Sequence, residues 1–217
     1  FYSKKINKID YEIIKKKFNN LKHKTLFKFE IKNEKLFVIN KFDFINKIVN
    51  EIYIDLSLSI EDIKSNFSSN HRNEISKNYS NTVFKIIDYK NYKPNMIFEM
   101  MDLHKKVSGR QTRSKESWMQ NEKMILEKKG FLTRVELNEK VISYSFFYHN
   151  KYTCIYLSSV GLREYYKIVR NMHHKSLWLA INYAKKYCKY FYVGPITLFN
   201  KTVATEKEKS IENFKNK

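Results

Sequence analysis

Alternation of apolar and polar positions is clearest between residues 131 and 160. Three runs, Phe131–Leu137, Val141–His149 and Tyr152–Val160, are separated only by Asn138-Glu139-Lys140 and Asn150-Lys151. Connections this short make hairpins, so the segment predicts an antiparallel meander. Upstream, the period lengthens to that of a helix. Ile97, Met100, Met101, Leu103 and His104 fall along one helix over 95–107, closed by Gly109. Trp118, Met119, Ile125 and Leu126 form a stripe on a second helix, capped by Ser114 and expected to end at Gly130. Thr82–Asp88 reads as a strand. Ser59, with Asp62 three residues on, caps a helix expected to run to about Asn78, with Asn70-His71-Arg72-Asn73 on its polar face. Downstream, an irregular basic loop over Gly161–His174 leads into a helix over Lys175–Lys186. A buried strand follows, Tyr190–Val193, stopped by Gly194-Pro195. A last helix begins near Thr205 and carries Ile211 and Phe214. Residues 1–50 read as helix, small hairpin (Phe27–Ile31 and Lys35–Ile39) and helix (Asp43–Ile52).

The order from residue 82 on is strand, helix, helix, three-strand meander, helix, strand, helix. It predicts an α/β (α+β) protein with a mixed, mostly antiparallel sheet and helices on both faces. The last strand is expected to run parallel to the meander's third strand through a helical crossover.

Composition narrows the function classes. Of 217 residues 42% are hydrophobic, enough for a core, while 4 Gly and 2 Pro exclude collagen-like and linker-like chains. Two Cys make no disulfide scaffold and fit a reducing, cytoplasmic setting. No apolar run is long enough to span a membrane. The chain opens on Phe1 without a signal-like segment, so it is expected to be a piece of a longer one. The formal charge of +20 comes from 42 Lys and Arg against 22 Asp and Glu. Lys (36), Asn (22), Ile, Phe and Tyr all have AT-rich codons, so part of this basicity reflects codon usage. The field still attracts anions: nucleic acid, phosphorylated cofactors or anionic glycan precursors. No recognition pattern for DNA appears and the lysines are scattered, so DNA is not an expected partner.

Four stretches carry a family resemblance. They are Ile54-Asp55-Leu56-Ser57 before a helix with Arg72; Leu103-His104 followed by Ser108-Gly109-Arg110; Leu177-Trp178-Leu179-Ala180-Ile181 with Tyr183-Ala184 and Tyr190-Phe191-Tyr192-Val193-Gly194; and Ser210-Ile211-Glu212-Asn213-Phe214-Lys215. In this order the chain resembles the FemAB-like branch of the GNAT-fold acyltransferases, a branch that includes the peptidoglycan-bridge enzymes and BioF2-like acetyltransferases. The resemblance implies a GNAT-like domain over 54–217, with 1–53 as the remnant of a first GNAT-like subdomain. It also implies transfer of an acetyl or aminoacyl group from acetyl-CoA or aminoacyl-tRNA onto an amine. The acceptor would be a small molecule or a nucleotide-linked glycan precursor of the cell envelope, and no metal is implied.

The same resemblance places a donor along Ser158, Ser159, Val160 and Gly161. Arg163, Lys167, Arg170 and His174 of the following loop would stand in for a Gly-rich phosphate cradle, since that loop holds a single Gly. Lys215, beside Phe214, would stabilise the oxyanion of the transfer step. From the residues themselves, Arg72, Arg110 and Arg113 suit bidentate binding of phosphate or carboxylate, and His104 suits a base. Tyr156 and Ser158 are expected on one sheet face, Tyr156 to position the acceptor or protonate the leaving group. His173-His174 have no third ligand at metal spacing, and Cys154 reads as core. Each of these residues also fits an ordinary structural role. Two other classes stay open: a basic nucleic-acid-binding protein and a catalytically inert interaction domain.

Overall fold

The structure, a computed structural model, describes residues 49–197. Its centre is a six-stranded sheet in the order β1-β6-β5-β4-β3-β2. The strands are β1 (Val49–Asp55), β2 (Thr82–Ile87), β3 (Gly130–Leu137), β4 (Lys140–His149), β5 (Thr153–Gly161) and β6 (Tyr190–Thr197). The helices are α1 (Ile60–Ser65), α2 (Ser69–Ser76), α3 (Met96–Ser108), α4 (Lys115–Leu126) and α5 (Met172–Ala184). All neighbours in the sheet are antiparallel except β5 and β6, the pair joined by the α5 crossover. The β3–β4 hairpin turns through Asn138 and Glu139, both at positive φ (48° and 64°), which matches strand twist.

Alternation along β3 and β4 sends side chains to two cores. On one face Phe131, Phe147, Cys154 and Phe191 pack against Leu177, Ala180 and Ile181 of α5 and Ile63 of α1. On the other, Leu132, Tyr144, Phe146 and Val160 pack against Ile97 and Met100 of α3 and Trp118 and Ile125 of α4. Helices therefore cover both faces, as the element order predicts.

Five local expectations change. The helix expected to reach Asn78 is two helices, because Ser68 caps a fresh start by accepting from His71 N–H at 3.3 Å. Arg72 holds the break, its guanidinium donating to the carbonyls of Ser65 (3.0 Å) and Phe67. Residues 49–52 are strand rather than helix end, since β6 pairs with them along its free side. β1 thus joins the sheet ahead of the expected domain start at Ile54. Gly130 opens β3 instead of ending a helix; the left-handed turn falls to Lys128 (φ 61°). A Cβ at Gly130 would stand 3.0 Å from the Phe146 ring and 3.1 Å from the Phe147 carbonyl. α5 begins at Met172, three residues before the basic run was expected to become helical. Finally, Gly194-Pro195 do not stop β6, which continues to Thr197 against β1. Having lost β5 there, the strand has no partner on that side among the described residues, and proline's missing N–H is tolerated.

Candidate functional site

β5 and β6 separate. Their pairing is confined to Thr153–Ile155 against Tyr190–Tyr192. Beyond it β5 follows β4 to Gly161, and β6 follows β1 to Thr197. A wedge opens between them. The β5 edge from Tyr156 onward has no strand on that side among the described residues, so its backbone groups face the gap.

A bulge marks the split. Phe146 pairs with Ser158 but Phe147 with Tyr156, leaving Leu157 as the extra residue. The bulge overturns the expectation that Tyr156 and Ser158 share a face. Ser158 lies opposite Phe146, on the α3–α4 side; Ser159 lies opposite Ser145, on the Tyr156 side. Tyr156 Oη donates to Ser159 Oγ at 2.5 Å, and its ring stacks on Phe147 with centroids 5.4 Å apart. Burial pushes the Tyr156 phenol up, only partly offset by Ser159. Ser158 Oγ is buried with no hydrogen-bond partner among the described residues. Val160 is core, its carbonyl accepting from Ser143 Oγ at 2.7 Å.

At the end of β5, a Cβ on Gly161 would lie 2.9 Å from His173 Nε2 and 3.2 Å from Tyr166 Cε1. The ring of His173 therefore requires glycine here. His173 Nε2 is 3.2 Å from Tyr166 Oη, which also reaches the Gly161 carbonyl at 3.4 Å. Burial lowers the His173 pKa from 6.5 to about 4. A depressed folded pKa means the unfolded chain binds the proton first, so stability is present above pH 6.5 and is lost as pH falls toward 4. Between pH 7.5 and 5 this group should remove about 2 kcal/mol. Thermal melts across that range should show the loss, and His173→Asn should flatten it; an unchanged slope would refute this account of the ring.

Part of the loop's backbone is self-satisfied. N–H groups of Leu162, Tyr165, Tyr166, Ile168 and Val169 donate to carbonyls of Ile142, Leu162, Arg163 and, for the last two, Tyr165. They offer no cradle for a pyrophosphate. Arg163, Lys167 and Arg170 are exposed. His174, expected beside them, is buried, its ring 4.3 Å from that of His71 on α2.

On the opposite face His104 sits 5.1 Å from the Trp118 ring, over which Arg113 also stacks at 5.4 Å. Burial, then Arg113, lower the His104 pKa, and its Nε2 is buried with no hydrogen-bond partner among the described residues. A neutral imidazole of this kind can take a proton. Arg110 is exposed just past the αL cap Gly109 (φ 71°). Arg72 is engaged at the α1–α2 break, which sets it to a structural task. Cys154 is buried and its thiol is held protonated by burial, as expected of core. Among the described residues no group of His, Cys, Asp or Glu could hold a metal ion. Lys215 and Phe214 lie outside the described residues.

No known family model matches the chain, and no curated protein does. Solved structures do. FemX superposes with a TM-score of 0.58 at 12% identity, over 76% of this chain and 57% of FemX. The C-terminal DUF2156 domain of a putative lysylphosphatidylglycerol synthetase from Agrobacterium fabrum gives 0.53 at 9% identity, over 79% and 52%. L-PGS from Bacillus licheniformis gives 0.50 at 13%, over 75% and 51%. The fold is GNAT-like. The chain spans between 51% and 57% of the length of these structures. In this GNAT-like sheet, the wedge brings together Tyr156, Ser159, Gly161 and His173. His104, Arg113 and Ser158 lie across the sheet from Tyr156. Tyr166 carries no signal in the sequence, and His173 reads there only as one of a His pair that caps the helix or contacts the donor.

Proposed function

We propose that the protein is an N-acyltransferase of the FemAB-like kind, moving an acyl or aminoacyl group onto an amine of a cell-envelope or surface-glycan precursor in the cytoplasm. The acyltransferase domain would start with β1 at Val49 rather than at Ile54, with the residues before it as the remnant of a first one. The observation that carries this reading is the wedge itself. An extended acyl arm fits an unpaired β5 edge as a strand would, and backbone N–H groups there can polarise its carbonyl. Tyr156, kept protonated by burial, can give its proton to the leaving oxygen or sulfur and recover one through Ser159. The acceptor amine would lose its proton to solvent, since His104 is buried against Trp118 across the sheet from Tyr156. Lys215 and Phe214 are proposed for oxyanion stabilisation and water exclusion. Arg110 and Arg113 would hold the acceptor's anionic groups.

Two donors fit the chemistry, acetyl-CoA and aminoacyl-tRNA. Five engaged N–H groups after Gly161 favour the second, because they are withdrawn from any cradle for a CoA pyrophosphate. One of the fold-mates is by its name a lysylphosphatidylglycerol synthetase, which agrees with aminoacyl chemistry on this fold. The test is thermal stabilisation of the full chain by CoA thioesters, by charged tRNA and by nucleotide-linked glycans. A donor at 100 times its dissociation constant should add about 2.7 kcal/mol. Stabilisation by uncharged nucleic acid alone, without sequence preference and with steep loss in salt, would replace this reading by a nucleic-acid-binding one.

A further inference from the structure

We propose that the loop between β5 and α5 is a docking surface for an anionic lipid bilayer, through which a membrane-linked acceptor is presented at the wedge. The loop's exposed apolar side chains are Ile168, 58% exposed, and Tyr166, 42% exposed with its hydroxyl turned back to the Gly161 carbonyl and His173. Arg163, Lys167 and Arg170 alternate with them, also exposed. Two further cations close in from neighbouring elements. Lys106 of α3 lies 3.2 Å from Glu164, the loop's one carboxylate, and Lys140 of β4 donates to Tyr165 Oη at 2.8 Å. Lys106 and Lys140 thus add to the loop's three cations, and its one carboxylate is already paired. Exposed apolar side chains among basic ones suit a bilayer interface: the apolar groups enter the acyl boundary while the cations meet the phosphates.

The backbone allows this. Entry into a water-poor layer penalises open N–H groups, and five of those in this loop already donate to carbonyls. The loop's base is fixed to the sheet. Val169 is fully buried in a cluster with Val135, Leu137 and Ile142, and Tyr79 Oη donates to the Arg170 carbonyl at 2.6 Å. The base of the loop is therefore held firmly to the sheet, directly after Gly161 and the β5 edge. A polynucleotide would use the same cations and could stack on Tyr166, but it has no use for Ile168. That side chain decides for lipid.

The surface rests on the acyl-transfer reading only for the identity of what is delivered. The test is co-sedimentation of the full chain with vesicles of mixed phosphatidylglycerol and phosphatidylcholine, against phosphatidylcholine alone. Binding should be confined to the anionic vesicles and weaken with salt. Ile168→Asp should weaken it about tenfold, and Arg163→Ala and Arg170→Ala about fivefold each, with melting temperatures unchanged because these side chains are exposed. Ile168→Ser gives a second reading without added charge. Equal binding to neutral vesicles, or full binding by both Ile168 variants, would overturn the proposal. So would a surface where uncharged tRNA displaces vesicles and the Ile168 variants bind both as before. If vesicles bind as expected but no acyl donor is used, the proposed activity fails and the docking stands. Transfer to a water-soluble amine with no vesicle binding gives the reverse.

Discussion

Tyr156→Phe should lower turnover by about 100-fold or more while leaving the Michaelis constants nearly unchanged. The substitution keeps the ring on Phe147 and removes one oxygen at the point where β5 leaves β6. What is lost is a proton donor needed when the leaving group departs, not a contact made in the ground state. Stability should fall by about 1 kcal/mol, because Ser159 Oγ loses its 2.5 Å partner. Burial holds the phenol above its ordinary value of 10, so no alkaline loss of rate from this group should appear up to about pH 10. Ser159→Ala is the comparison, since it leaves the phenol in place and removes only its relay; it should cost less than Tyr156→Phe. Single-turnover rates with each variant decide the matter. A Tyr156→Phe protein transferring at the normal rate would leave Tyr156 as a packing residue.

Why Tyr156 and Ser159 could both be singled out in the sequence but not paired with each other is a matter of register. The meander was readable because period-two alternation and Asn-rich two- and three-residue connections agree with one another. Leu157, however, fits that alternation as an ordinary apolar position between Tyr156 and Ser158. Only the pairing with β4 shows that it is an extra residue, and one residue moves every following side chain to the other face. The same kind of error separated His174 from His173. Starting α5 at Met172 turns one ring toward Gly161 and the other toward His71, a rotation that sequence periodicity cannot phase. The α1–α2 break was hidden because Ser68 caps without the acid that marked Ser59, and because no Gly or Pro stands at Asn66-Phe67. Arg72, singled out for rarity, was drawn to the loose carbonyls of that break. Gly194-Pro195 misled in the opposite direction. They are strong local breakers, but a strand with no partner on one side among the described residues can carry them, and that side is the wedge. The features that shape the candidate site are therefore the ones that local patterns describe worst.

Lys215→Ala should reduce turnover about 100- to 1000-fold, equivalent to ~2.7–4 kcal/mol of transition-state stabilisation. The proposal comes from Phe214-Lys215 at the end of the chain, where the FemAB-like pattern carries its Phe-Lys pair. Attack of an amine on an acyl carbonyl puts a negative charge on oxygen that is absent in the substrate. A cation that meets only that charge raises turnover and leaves ground-state binding alone. The backbone edge of β5 can polarise the carbonyl by hydrogen bonds but brings no full charge, which leaves this task open in the wedge. Lys215→Arg should rescue poorly, because a planar fork does not replace a point charge. On the expected helix surface the alanine variant should change stability by no more than about 0.5 kcal/mol. Melting curves and single-turnover rates on the two variants, set beside Tyr156→Phe, make the assignment testable. If proton donation and charge stabilisation act on one transition state, the double variant Tyr156→Phe/Lys215→Ala should lose less than the product of the single losses. A multiplicative loss would mean that the two residues act independently of one another, and a Lys215→Ala protein with a normal transfer rate would remove the lysine from the mechanism.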